Sequence, residues 1–580
     1  MAVAADSRNE TRRAGLTLSP LIVLGGALVC VMVLMTLPIV VPIGPMYWDV
    51  FIYYDAAARI FDGQVPVVDF FTPVGPLGYW LFAAALAVFP DAQPTLIAHW
   101  SLLPLTAPLM ALVLWDTGRG GARAVPFALL VPFLIFALLP FNTREFYPFP
   151  GSDGFGIYNR QVCQLLYVLA SALVFMRSQR LLAVVIAVAM TALLLVKVTG
   201  VVSGAILCVF AFMAGRVALR TAIASLVFLV AVLGGLELWN GMISHYARDI
   251  LSLVEMNSES LAPRFLQAAS HTFGVIAPGG ALVLMLLWWE RERIAGRLKA
   301  VRSERGLASI ARVFDLAPLW LAVAMIAGVF FETQNTGSQA MIMVWPMVLM
   351  ILLSAGRMVA RPAVLVATFG LAAATALPPA VSIVERAARA YAGSVKNEAL
   401  EHRNLRSLGT VSMRPDVAHR ATVMSGIYPR HRETYADIVE NGILPNFILY
   451  SEFDFQILHL QAIDRAIDDL RALETERGIR FETMMTYNFV NPFPWLMGRS
   501  APRHIAIGAD PTRAVPRPGA QVAEALGQVD IALYPTCPLT TANAMLFDLY
   551  RPFMPDHRRI RVNACYDAWI HPRFGIEVPD

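Results

Sequence analysis

Apolar runs separated by short polar connections fill the first two thirds of the chain. They cover roughly 18–43, 76–90, 95–115, 124–141, 160–176, 181–196, 200–215, 220–239, 272–289, 314–331, 340–356 and 362–384. A crossing of the hydrocarbon core by a helix needs about 20 apolar residues, so most of these runs predict membrane spans. After Val384 the pattern changes. Polar and charged residues occur at ordinary density, with helix-period stretches such as "ILHLQAIDRAIDDLRALETERG" and strand-like stretches such as "HIAIGA", "VDIALYP" and "RIRVNA". This predicts an α/β domain over 385–580.

Composition agrees with the pattern. The 580 residues are 57% hydrophobic and 15% charged, and mean hydropathy is +0.58, too apolar for a soluble chain of this length. The run 18–43 is too long for a signal-peptide core and has no small-residue cleavage site, so it reads as a retained first helix after a cytoplasmic N-terminus, 1–17. The net charge of +4 comes from arginines scattered between apolar runs. They read as topology signals and not as a nucleic-acid stripe.

The arginines also settle the number of spans. With all twelve runs crossing, basic connections such as "DTGRGGAR" and "RSQR" fall on the side opposite the arginine-rich N-terminus. The weak run is 76–90, "PLGYWLFAAALAVFP", opened and closed by proline. Without it, eighteen basic residues lie inside and six outside, which predicts eleven spans with the C-terminus outside. Residues 18–384 then form a transmembrane domain with two large outer loops, 44–94 and 240–271. The stretch "DVFIYYDAAARIF" predicts a helix along the membrane surface. Of five cysteines, Cys30, Cys163 and Cys208 sit in apolar runs, while Cys537 and Cys565 lie where an oxidising compartment permits pairing. The sequence contains no metal-ligand spacing, nucleotide loop or repeat.

Asp49 follows the first span, then come "AAARIFDGQVPVVDFF" and "GPLGYW"; farther on are "IYNRQ" and "LLLVKVTG". Together these resemble the GT-C superfamily, multi-spanning glycosyltransferases that draw sugars from polyprenyl-phosphate carriers, in the branch of the protein mannosyltransferases and aminoarabinose transferases. The resemblance covers about 20–380. It departs at Val50, where protein mannosyltransferases carry glutamate, and at Gly75, where aminoarabinose transferases carry lysine before Pro76. It implies a bacterial inner-membrane, inverting transferase that modifies a periplasmic or cell-envelope acceptor and takes an apolar prenyl chain from the bilayer.

Such chemistry needs a base for the acceptor hydroxyl and cations for the departing phosphate. Asp49, at the outer end of the first helix beside Tyr47 and Trp48, is the candidate base. Asp55 either supports it or pairs with Arg59 one turn on, Asp69 is a candidate for orienting loop or acceptor, and Asp62 reads as a turn residue before Gly63. Lys197 interrupts an apolar run against the charge rule, which points to an anion. Arg160 is the second candidate phosphate ligand, with Arg264, His245 and Arg248 behind it. The polar turn "ETQNTGSQA", 332–340, suits a sugar. The superfamily allows a divalent metal bridging Asp49 and the phosphate, but no ligand set here requires one. Two other classes fit the same spans, a lipid or polysaccharide transporter and a non-catalytic envelope assembly protein. Charges concentrated at the outer helix ends and the lack of an inverted repeat weigh against transport.

Overall fold

The computed structural model describes residues 19–119, 124–144, 150–257, 261–304, 306–333, 339–442 and 452–576. The N-terminal arginines Arg8, Arg12 and Arg13 and most of the 332–340 turn lie outside the described residues.

Up to Gly393 the described residues are mainly helical. In order they are α1 (Pro20–Met35), α2 (Asp49–Phe61), α3 (Leu77–Val88), α4 (Pro94–Trp100), α5 (Leu103–Gly118), α6 (Ala124–Leu138), α7 (Ile157–Phe175), α8 (Gln179–Val196), α9 (Val198–Met213) and α10 (Leu219–Asn240). There follow α11 (Met242–Asn257), α12 (Leu261–His271), α13 (Phe273–Trp289), α14 (Arg291–Glu304), α15 (Leu307–Phe314), α16 (Ala317–Glu332), α17 (Trp345–Ser354) and α18 (Pro362–Gly393). Among the described residues, four helices are long and apolar enough to cross a membrane, and up to seven spans result if each bent pair, such as α4 with α5, counts once. Helices α1, α6 and α9 are apolar but of 15 or 16 residues.

Helix α10 shows which way the apolar surface faces. Leu226, Val227, Val230 and Leu238 point outward, while its buried positions are Thr221 and Ser225. Thr221 donates to Gln179 Oε1 at 2.7 Å and Ser225 to the carbonyl of Ala183 at 3.1 Å. Hydroxyls turned toward neighbouring helices and aliphatics turned away suit a helix bathed in lipid. The run 76–90 becomes α3, only 12 residues long.

Beyond α18 the chain forms α19 (Pro415–Arg430), α20 (Arg432–Glu440), a long helix Phe453–Arg477 and two small sheets. One has the order β1–β3–β2, with β1 (Val41–Pro42) parallel to β3 (Val411–Met413) and β2 (Glu398–Ala399) antiparallel to it. The other, β4–β5–β7–β6, is built from Met484–Thr486, Ile531–Pro535, Tyr566–Ile570 and Arg558–Arg561. The strand-like stretch VDIALYP thus contains β5, and RIRVNA overlaps β6 at Arg559–Arg561. HIAIGA forms no strand. It turns at His504 and Gly508, both of positive φ, and lies along the 44–94 loop, where His504 N–H bonds the Asp69 carbonyl at 2.6 Å and Ile507 N–H that of Phe71 at 3.1 Å. Cys537 and Cys565 form a disulfide.

The outer loop and the C-terminal region share one hydrophobic core, in which Tyr54, Phe70 and Phe82 cluster with Leu405, Phe455 and Phe493. The sequence predicts helix α2 along the membrane surface. Instead it is buried from Asp49 to Arg59, because the C-terminal region covers the face turned away from the spanning helices. Arg59 clasps the two parts. Its Nε donates to Asp55 Oδ1 at 2.9 Å and its Nη1 to the carbonyl of Pro502 at 2.6 Å, and the Arg59 and Asp55 side chains are 1% and 4% exposed. Removing one partner of a buried pair strands the other charge. Arg59→Ala should therefore destabilise the outer assembly by roughly 3–5 kcal/mol, read as a lower midpoint for the C-terminal tryptophans in thermal unfolding. A change under about 1 kcal/mol, the range of exposed ion pairs, would show that the clasp is dispensable.

Candidate active site

Where α8 ends, the chain breaks for a single residue, Lys197, whose extended backbone separates α8 from α9. The end of α8 leaves carbonyls without helical partners. They are met from outside: Gly75 N–H bonds the Val196 carbonyl at 2.9 Å, and Tyr246 Oη on α11 donates to that of Leu194 at 3.0 Å. This brings the outer loop and α11 over the break.

Between these elements lies a cavity of about 280 Å³. Asp49 lines it from α2, Lys197 from the helix break, Asp249 from α11 and Arg264 from α12, with Asp510 and Arg513 contributed by the C-terminal region. Asp49 Oδ2 accepts the N–H of Gly156, the residue preceding α7, at 3.1 Å. Burial still pushes its carboxyl up to about 7, against that hydrogen bond and the positive charge of Arg513. Burial also pulls Lys197, just beyond the end of α8, down to about 7, opposed by the carboxylate of Glu332. The Lys197 ammonium donates to Asn159 Oδ1 at 2.8 Å and sits 5.0 Å from the centre of the Tyr158 ring and 5.5 Å from that of Phe331. It is a cation held among rings and an amide oxygen, a setting that an incoming anion would complete.

Of the residues singled out in the sequence, Asp49, Lys197 and Arg264 meet at this cavity. Asp55 does not line it, being paired with Arg59. Asp69 accepts from Val65 N–H at 2.7 Å and pairs with Arg503 at 2.9 Å, fastening loop to C-terminal region. His245 bonds the Gly241 carbonyl at 2.9 Å. Asp62 caps the end of α2 before Gly63, whose φ of +79° makes the turn.

Arg160, expected to grip phosphate, faces the interior of the bundle. Its Nη1 donates to His99 Nδ1 at 2.8 Å and its Nη2 to Asn142 Oδ1 at 2.8 Å. His99 Nε2 bonds the carbonyl of Asp153, whose carboxylate forms two bonds with Arg386 of α18, at 3.0 and 3.1 Å. This network joins α4, α7 and α18 beside the Gly156 turn that supports Asp49. Arg160 thus acts as a brace, because its position in the first turn of α7 points it toward α4 and the 142–153 segment and not toward Lys197.

Two cavity residues carried no usable signal in the sequence. Asp249 follows Arg248 in a stretch that reads as an ordinary amphipathic helix. Arg513 lies in the turn "DPTR", where Asp510 accepts from Thr512 N–H at 3.0 Å and pairs with Arg513 at 2.6 Å. Only the docking of the C-terminal region brings it near Asp49. Among the described residues, no group of three or more His, Cys, Asp or Glu side chains is placed to hold a metal ion.

Gly75, where the sequence departs from the aminoarabinose transferase pattern, has a local reason. A Cβ built there would fall 2.1 Å from the Leu195 carbonyl oxygen, so no side chain fits while the loop is seated on the end of α8. Gly75→Ala should lift the Thr72–Val74 segment from the end of α8, read as faster amide hydrogen exchange at Gly75 and over Thr72–Val74. Unchanged exchange in Gly75→Ala would show that the seat tolerates a side chain.

No family model matches this chain, and neither does any curated protein. Two solved structures do. The crystal structure of ArnT from Cupriavidus metallidurans in the apo state aligns at 13% identity over 94% of this chain and 97% of that one, with a TM-score of 0.40. The crystal structure of the same protein bound to undecaprenyl phosphate aligns at 14% identity over the same shares, with a TM-score of 0.37. Likeness of this degree says nothing about which residues act.

Proposed function

We propose that the protein is an inverting membrane glycosyltransferase, moving a sugar from a polyprenyl-phosphate carrier to a periplasmic or cell-envelope acceptor. The observation that carries this reading is the single cavity in which Asp49, with a carboxyl near 7, shares its walls with Lys197 and Arg264. In the reaction, an acceptor hydroxyl oxygen attacks the anomeric carbon from the face opposite the phosphate. The new C–O bond forms as the bond from carbon to phosphate oxygen breaks, and its electron pair leaves on the phosphate. Asp49 takes the hydroxyl proton, and a base with a pKa near the working pH does this best. Lys197 holds the leaving phosphate, and Arg264 answers the same charge from α12.

The proposed setting is an inner membrane crossed eleven times, with the N-terminus inside and the cavity and the 385–580 domain outside. Two observations support it. The distribution of arginines favours an outside position for these segments, and the Cys537–Cys565 bridge suits an oxidising compartment.

Mass spectrometry of envelope glycans from a deletion strain tests the proposal. The expected result is the loss of one sugar mass from one envelope component, restored by the natural gene and not by Asp49→Asn. An envelope identical in all three strains would sink it.

A further inference from the structure

Three polar side-chain atoms in the cavity are buried with no hydrogen-bond partner: Tyr53 Oη, Thr199 Oγ1 and Asp249 Oδ2. A buried polar atom left alone costs about 1–3 kcal/mol, and native proteins keep few of them. Here three come from separate elements, α2, the first turn of α9, and α11, and line the same cavity as Asp49. Such atoms call for a polar guest.

Their chemistry narrows the guest. Two hydroxyls can each donate or accept, and a carboxylate oxygen accepts from a donor. A guest with several hydroxyls on a compact frame satisfies all three, whereas a phosphate, having only acceptors, would oppose Asp249. Tyr79 and Tyr158 line the same space and offer ring faces to the C–H side of a sugar. Asp249 is also held in place. Helix α11 is pinned near both ends, by Tyr246 to the Leu194 carbonyl at 3.0 Å and by Asn257 Nδ2 to the Arg513 carbonyl at 3.1 Å, which fixes where Asp249 enters the cavity wall.

We propose that Tyr53, Thr199 and Asp249 form the subsite that recognises the sugar on the carrier, with Asp249 the specificity-determining residue. This rests on the glycosyltransferase reading and adds what that reading lacks, the residues that tell a charged carrier from a spent one. A site built to bond hydroxyls rejects a ligand without them.

The test measures binding by the full chain in nanodiscs. The probes are undecaprenyl phosphate and undecaprenyl-phosphate-linked sugars from a panel of hexoses and pentoses. Wild type should bind at least one charged carrier about tenfold or more tighter than the bare one. Asp249→Ala, Tyr53→Phe and Thr199→Val should lose most of that increment while bare-carrier affinity stays within about twofold, since these groups do not meet the phosphate. Tyr53→Phe and Thr199→Val conserve shape, so they decide the matter if Asp249→Ala is poorly folded. An increment that survives in the variants, one that is absent for every sugar although the bare carrier binds, or equal loss of both forms in the conservative variants overturns the subsite alone. Failure of wild type to bind either form overturns the glycosyltransferase reading, and the subsite with it.

Discussion

Asp49→Asn should lower the rate of sugar transfer by about 10²–10⁴-fold, the range that a positioned general base contributes, while carrier affinity changes little. Asparagine keeps the shape and can still accept the Gly156 N–H, so the surrounding turn stays in place. What is lost is the group that removes the acceptor proton. The separation of effects is the diagnostic part. A loss confined to kcat marks an interaction made in the transition state, whereas a parallel loss of binding would mark Asp49 as structural. The pH profile adds a second reading. With its carboxyl near 7, Asp49 is mostly protonated and idle at pH 5, so kcat/KM should rise as pH climbs through about 7. Wild-type activity that is flat from pH 5 to 8, or an Asp49→Asn enzyme with full turnover, would exclude the assignment.

The second large effect belongs to Lys197. Lys197→Met removes the cation at the helix break and should weaken transfer by about 10²–10³-fold, as expected for a charge that stabilises a leaving anion. Lys197→Arg is the sharper probe. Burial holds the lysine near 7, so above that pH a growing share of free enzyme is uncharged and kcat/KM should fall on the alkaline side. Arginine stays protonated throughout. It should therefore retain part of the activity and move the alkaline limb upward by more than one pH unit. If Lys197→Arg leaves that limb where it was, the lysine does not set it, and the phosphate contact lies elsewhere.

The site was legible in the sequence wherever a residue broke a local rule. Lys197 stood out because a charge in an apolar run needs a reason, and Asp49 because it followed a span among aromatics at a presumed interface. Arg160 broke the same rule, yet it serves as a brace to His99 and Asn142. A charge at a helix start signals that a partner exists without showing on which side it lies. Asp249 breaks no rule, since an aspartate on an amphipathic helix is ordinary, and nothing in the sequence marks it. The strand-like HIAIGA failed for a related reason. Its alternation is real, but its backbone groups bond the 44–94 loop and not another strand.

By itself the sequence determined the membrane class, the helical character of the apolar runs and of the 44–94 and 240–271 segments, and three of the charges at the cavity, Asp49, Lys197 and Arg264. These are one-dimensional properties, since hydrophobic length, period and charge act on each segment independently of its neighbours. The tertiary structure alone decided that α2 is buried on all sides, that the C-terminal region supplies Arg513 and Asp510, that Gly75 seats against the end of α8, and that Asp249 faces the same cavity as Asp49. Each depends on two segments meeting whose separation along the chain runs to hundreds of residues. The first two arise from the core shared by the 44–94 loop and the C-terminal region, the others from the packing of that loop and α11 on the end of α8, and no local pattern records which surfaces will meet.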